Sequence, residues 1–314
     1  MVEICGMARE TLVRDGLAYG STLGPGKKRS ARHAKGGGGG GDENTEKIKQ
    51  MIMKYPTTPM AAIVHTVPWL SDPDFEYVRE DDKLLALVID TLKSRVCHWN
   101  FYDFKIMYTK HSCVPLWNCM DVDTSNFYYP VEDGLQIIND LLAFQFGSPE
   151  RIYEFLLTVW NVCERKIPKL NSIAIVSPPS AGKNYFFDMI LAFYWNKGQL
   201  GNPNKNNTFA YQEAQNKRVL LWNEPNYESS ETDMIKMILG GDNYTVRVKY
   251  KADCNVVRTP VIILSNKRVN FMNDPAFDDR CKVFNWMSAP MLKNYTLKPS
   301  PLTYIALMEF YNIC

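Results

Sequence analysis

From Leu170 onward the chain alternates short, wholly apolar runs with amphipathic ones. Ile173 to Val176, Val219 to Trp222 and Val261 to Leu264 contain no polar residue. Runs of this length without polar alternation predict strands buried on both faces. Asn184 to Trp195 and Thr232 to Leu239 carry apolar residues at helical spacing and lie between or after those strands. Strands separated by helices predict an α/β fold around a central parallel sheet.

Upstream the pattern is helical. Lys83 to Arg95 places Leu84, Leu85, Leu87, Val88 and Leu92 on one face. Gly134 to Phe146 and Pro149 to Cys163 predict two more helices. Ser148-Pro149-Glu150 supplies a capping hydroxyl and a first-turn proline for the second, and Arg165, Lys166 and Lys169 suit its negative pole. Trp99 to Tyr129 is rich in aromatics and reads as short strands or a packed loop region. Its rings serve either core packing or stacking on bases.

The first residues read differently. Lys27, Lys28, Arg29, Arg32 and Lys35 run into the glycines Gly36 to Gly41. Polyglycine holds no fixed backbone cheaply, so a flexible basic tail is expected over 1–46. The basic cluster is a nuclear import signal, a phosphate contact, or simply a solvated tail. The expected divisions are then a small, mostly helical N-terminal region over 47–132, a larger α/β domain over 133–290 and a C-terminal extension over 291–314. No internal repeat is present.

Composition narrows the function classes. Apolar residues make up 46% and charged residues 22%, as in ordinary globular chains. A net charge of +2 provides little overall field, so any nucleic-acid binding must rest on local patches. No apolar run reaches the roughly 18 residues of a spanning helix, and the start has no signal-peptide pattern, so no membrane partner is expected. The eight cysteines are scattered and read as reduced thiols. Cys97, His98, His111, Cys113 and Cys119 fall near one another in sequence but match no common zinc spacing.

The chemistry concentrates after the first buried run. Ser177, Pro178, Pro179, Ser180, Ala181, Gly182, Lys183 and Asn184 form a segment between a predicted strand and a predicted helix. That is the setting of a phosphate-binding loop. Backbone N–H groups and the helix N-terminus face the phosphates, and Lys183 brings an ammonium to them. Two positions depart from the usual pattern. Ser177 replaces the first glycine, so the backbone there does without positive φ or accepts strain. Asn184 replaces the hydroxyl that normally binds magnesium, leaving an amide oxygen.

Two strand ends supply partners. Arg218 to Glu224 is an apolar strand ending in a carboxylate, which in a parallel sheet faces the loop. Glu224 there activates the attacking water and helps hold magnesium; otherwise it caps the next turn. Pro260 to Asn266 ends in a polar pair, and Asn266 reaches the γ-phosphate or that water, or serves as turn chemistry.

Together these segments resemble the superfamily 3 helicase domain of parvovirus non-structural initiator proteins, closest to the densovirus kind. The resemblance covers about Asp133 to Trp286 and rests on four motifs in order. It implies an AAA+-like P-loop NTPase fold using ATP and Mg2+, with Ser177 to Asn184 as the Walker A loop. Asn223 and Glu224 match the paired acids of the Walker B strand, with Glu224 the only acid of the two; Asn184, Asn223 and Glu224 are the implied magnesium-side residues. Ile238 through Lys251 matches the third motif, leading to a channel hairpin on which Lys249 and Lys251 contact DNA. Asn266 matches the sensor asparagine, and Arg280 the arginine finger that reaches a neighbouring subunit's ATP. For Arg280 the alternative is an ion pair with Asp278 or Asp279, and for the two lysines a solvated strand face.

The resemblance thus implies an ATP-dependent DNA helicase of viral genome replication in the host nucleus, acting on single-stranded and duplex DNA. It implies a homo-oligomeric ring of about six subunits moving 3′ to 5′. Family members also nick DNA with a His-hydrophobic-His metal pair. Here His33, His65, His98 and His111 include no such spacing, so nicking is not expected. Because members often continue further, Cys314 is expected to be a truncation point. The rival reading is a nucleotide-gated single-stranded DNA-binding module with little turnover, prompted by asparagines at the magnesium-facing positions. A small-molecule kinase fits poorly with Lys249, Lys251 and Arg280, and an inactive viral remnant stays open.

Overall fold

The computed structural model describes residues 40–250 and 252–314. The basic cluster and Gly36 to Gly39 lie outside the described residues, as does Lys251. Helix α1 (Gly40–Lys54) begins at Gly40, so the last two glycines of the run and the residues up to 46 belong to a helix where a flexible tail was expected. Its buried Ile48, Met51 and Ile52 supply the anchoring face.

The N-terminal region continues with α2 (Val67–Leu70), α3 (Lys83–Val96) and α4 (Phe101–Tyr108). Asp82 caps α3 by accepting from Leu84 and Leu85 N–H. The aromatic-rich stretch opens with a helix, not the strands or loops expected of it. Asn100 and Asp103 form a reciprocal capping box that starts α4. Phe101, Phe104 and Tyr108 then fall on its buried face. The rings there serve the core: Phe101 packs on Trp160, Phe193 and Tyr304 with centroids 5.0, 5.1 and 5.6 Å away.

Next come β1 (Tyr128–Tyr129), α5 (Val131–Phe146) and α6 (Pro149–Cys163), the last capped by Ser148. The sheet is built from β2 (Ser172–Val176), β3 (Lys197–Leu200), β4 (Val219–Asn223) and two later strands, with α7 (Lys183–Phe193) crossing from β2 to β3. Helix α8 (Thr232–Gly240) follows, then a hairpin of β5 (Tyr244–Val246) and β6 (Cys254–Val256). Strands β7 (Val261–Ser265) and β8 (Cys281–Asn285) complete the sheet. Its order is β3-β4-β7-β2-β8, and every pairing is parallel. All residues of β2 and β7 are buried, one face against a cluster with Phe155, Phe186 and Phe187, the other against one with Trp222, Ile235 and Phe271.

The flanking regions do not stand apart from this sheet. Trp195 Nε1 donates to Thr57 O at 2.8 Å, and Asn196 Nδ2 to Lys93 O at 3.3 Å. The segment expected as a C-terminal extension enters the core through β9 (Lys298–Pro299), parallel to β1, and α9 (Thr303–Phe310), whose Tyr304, Leu307 and Met308 are fully buried. Among the described residues no helix is long and apolar enough to cross a membrane.

Candidate active site

Parallel pairing brings the carboxyl ends of β2, β4 and β7 to one edge, where ligands of open α/β sheets bind. The loop from Ser177 leaves β2 at this edge. Ser177 is buried, its N–H bonds to Ser265 O at 3.0 Å, and its φ is not positive. Serine therefore stands in the first glycine's place without strain. The left-handed turns fall later, at Ser180 (φ 62°) and Gly182 (φ 85°). A Cβ on Gly182 would also lie 2.5 Å from Leu292 Cδ1, the end of a side chain that can shift, so the left-handed backbone is what demands glycine. Pro178, Pro179 and Ser180 are exposed, while Ala181 is buried.

Lys183 opens α7 with only 9% of its surface exposed. Its Nζ donates to Asn266 Oδ1 at 2.5 Å and to Ser177 Oγ at 3.4 Å, and lies 3.8 Å from Glu224 Oε1. Burial lowers the proton affinity of the ammonium, and the Glu224 charge opposes that shift. Glu224 itself sits just past β4 with φ 47°, a region a side chain rarely adopts. Three bonds hold it there: its N–H to Leu264 O (2.8 Å), its carbonyl from Asn202 Nδ2 (3.1 Å), and its Oε2 from the Asn266 N–H (3.0 Å). The structure thus brings Ser177, Lys183, Glu224 and Asn266 together. Asn184, in the first turn of α7, and Asn223, ending β4, are both exposed.

Two amide side chains that sequence reasoning passed over shape this edge. Asn202 Oδ1 accepts from Trp222 Nε1 and from the Asn226 N–H, both at 3.0 Å, so with its bond to Glu224 O it clamps the end of β4. Gln145, buried in α5, donates to Ala181 O (3.1 Å) and Met287 O (2.7 Å) and accepts from the Met287 N–H. It ties the loop between β2 and α7 to the segment after β8. A lone amide has no periodic signal; only the Asn202-Pro203 turn pair hinted at structure.

The remaining candidates lie elsewhere. Arg280 immediately precedes β8, and β8 is in parallel register with β2, so Arg280 sits at the opposite edge from the loop. Its Nη1 donates to Ala276 O, and among the described residues its Nε is buried without an acceptor and it makes no ion pair with Asp278 or Asp279. Lys249 is exposed in the turn between β5 and β6. Its Nζ is 5.2 Å from the ring of Tyr250, which is 93% exposed with φ 61°. Among the described residues no three His, Cys, Asp or Glu side chains gather as a metal-binding group. Burial raises the Cys113 and Cys119 thiols to about 11, as in packed cysteines.

A family model described as Parvovirus non-structural protein NS1 matches residues 153–277. The initiator protein NS1 of Diatraea saccharalis densovirus is 44% identical over 282 residues, 85% of this chain and 50% of that protein. The initiator protein NS1 of Junonia coenia densovirus is 58% identical over 187 residues, 59% of this chain and 34% of that protein. The chain therefore spans half or less of the length of these relatives. A crystal structure of JCV helicase bound to a small molecule shares the fold, with a TM-score of 0.52 at 12% identity over 85% of this chain and 86% of that one. By sequence the chain is a relative of the parvovirus non-structural initiator proteins, those of densoviruses among them, and its fold is the one seen in JCV helicase.

Proposed function

We propose that the chain is an ATP-driven DNA helicase of viral replication, working in the host nucleus as a ring of about six subunits. The observation that carries this reading is the cluster of Lys183, Glu224 and Asn266 within bonding or near-bonding distance at the carboxyl edge of the sheet. Lys183 exchanges Asn266 Oδ1 for an oxygen of the β- or γ-phosphate, which frees Asn266 to orient the attacking water. Glu224 Oε2 is engaged by the Asn266 N–H, so Oε1 is the atom that takes the water's proton.

Magnesium fits the donor set. One carboxylate at Glu224 and two exposed amide oxygens, Asn184 and Asn223, are hard oxygen donors suited to an ion that keeps several waters. When bound, it supplies charge neutralisation of the phosphates.

Arg280 is read as acting on a neighbour. The five residues of β8 separate it from its own phosphate edge by about 16 Å at 3.3 Å per residue. A finger so placed serves the adjacent subunit, which makes turnover depend on assembly. Lys249 and, beyond the described residues, Lys251 bind DNA phosphates without reading sequence, and Tyr250 offers an exposed ring to the bases.

The exposed amides at Asn184 and Asn223 favour one alternative, a nucleotide-gated single-stranded DNA-binding module with little turnover. Magnesium-dependent phosphate release, with and without single-stranded DNA across a protein concentration series, separates the two. The helicase reading expects release that DNA stimulates and that rises more steeply than protein concentration. Nucleotide-dependent DNA binding without release would favour the module.

A further inference from the structure

At the edge opposite the phosphate loop, Asn171 immediately precedes β2 and Ser172 begins it, and both are fully buried. Asn171 Nδ2 donates to Ile238 O in the last turn of α8 (3.0 Å) and to Thr259 O between the hairpin and β7 (2.8 Å). Its backbone N–H and that of Ser172 converge on the carbonyl of Arg280 at 3.2 and 3.1 Å, and Ser172 Oγ donates to the same oxygen at 2.8 Å. One short segment thus holds the end of α8, the root of the hairpin and the backbone of Arg280.

Two adjacent glycines complete the arrangement. Gly241 has φ 76°, and a Cβ there would lie 2.7 Å from Arg258 Cγ and 3.0 Å from Asn171 Cγ. Arg258 leads from β6 toward β7, and its Nη2 donates to Ile167 O and Leu170 O at 2.6 and 2.9 Å. Gly240 is different. It ends α8 with an ordinary helical backbone, where alanine would serve the helix better. What its missing Cβ permits is close passage of Arg280: that atom would lie 3.2 Å from Arg280 Nε and 3.4 Å from Cδ. Among the described residues Arg280 Nε is buried there without an acceptor, so the shaft is placed by packing on the bare Cα and by the Ala276 carbonyl, not by an ion pair.

We propose that Gly240 is a positioning residue for Arg280, and that with Asn171 it seats this arginine and the root of the DNA hairpin on one support. The guanidinium presented to a neighbouring subunit then has its position set by the same atoms that fix the hairpin. This rests on the finger and hairpin readings above.

The test compares Gly240→Ala, Arg280→Ala and the double variant of the full chain, reading kcat for ATP hydrolysis with saturating single-stranded DNA, ATP affinity, DNA affinity and melting temperature. Gly240→Ala is expected to keep its melting temperature and both affinities while kcat falls by about ten- to a hundredfold, the scale of a small misplacement of a reacting group. The double variant should be no slower than Arg280→Ala, because the two changes act through one group. Wild-type kcat in Gly240→Ala, or losses that multiply in the double variant, would overturn the seat. If Arg280→Ala itself turned over normally, the finger reading would fall. A slow Gly240→Ala would then overturn the seat as well, since its loss would not run through Arg280.

Discussion

The ammonium of Lys183 lies 3.8 Å from Glu224 Oε1, close enough to attract yet leaving each group free to face a shared ligand. Lys183→Met should therefore abolish nucleotide binding without unfolding the protein. Burial depresses the proton affinity of Lys183 below the ordinary lysine value of 10.5, so holding it charged opposes folding. The sign follows by linkage. Between the lowered folded value and 10.5 the unfolded chain binds more protons, so the lysine's adverse contribution shrinks as pH rises. At neutral pH the variant should melt no lower than wild type, and wild type should gain on it as pH climbs toward 10.5. Paired thermal melts check this; a variant that melts well below wild type at neutral pH would contradict it.

Glu224→Gln isolates the chemical step. The glutamine oxygen can still accept the Asn266 N–H that now bonds Oε2 at 3.0 Å, so the strand end keeps its shape. The position of Oε1 then carries no base. Nucleotide affinity should persist while phosphate release drops by about a hundredfold or more, the usual scale for losing a general base. Unchanged release would place the base on another residue.

These expectations draw on features legible to very different degrees. The central strands could be read because β2, β4 and β7 are continuous apolar runs, and the loop because it follows one of them. Strand β3 could not: Lys197-Gly198-Gln199-Leu200 is an edge strand with one face turned outward and no apolar run. Helix α4 was hidden because exposed Tyr102 and Ile106 blur its apolar stripe. Long-range partners such as Asn202 and Gln145 depend on distant backbone atoms that no local pattern encodes.

Arg218 shows the same limit, for it reads as the start of a strand yet carries a buried network. Its Nη2 pairs with Glu164 Oε1 at 2.5 Å, its Nε and Nη1 donate to Trp99 O and Cys163 O, and its guanidinium lies 4.2 Å from the Tyr194 ring centroid. The side chains are 0% and 4% exposed, so removing one partner strands the other's charge. Arg218→Met should cost about 3–5 kcal/mol, and adding Glu164→Leu should recover part of it. Urea unfolding of the three variants measures this; near-additive losses would mean that the pair is not coupled.

At the hairpin tip, charge and ring can be tested separately because they sit on neighbouring residues. Lys249 is the proposed phosphate contact and Tyr250 carries a 93% exposed aromatic face, with the ammonium 5.2 Å from that ring. Lys249→Ala removes one counterion-releasing contact, so the slope of log affinity for single-stranded DNA against log salt should become shallower by about 0.7. Tyr250→Ala removes a stacking platform and should weaken binding by about 1–3 kcal/mol with the slope unaltered. Tyr250→Phe keeps the ring and should bind like wild type. Fluorescence titrations at several salt concentrations read all three. If Tyr250→Ala changed only the slope, the ring would be acting through the lysine it shelters and not through the bases; if neither variant weakened binding, the DNA would be held somewhere other than this tip.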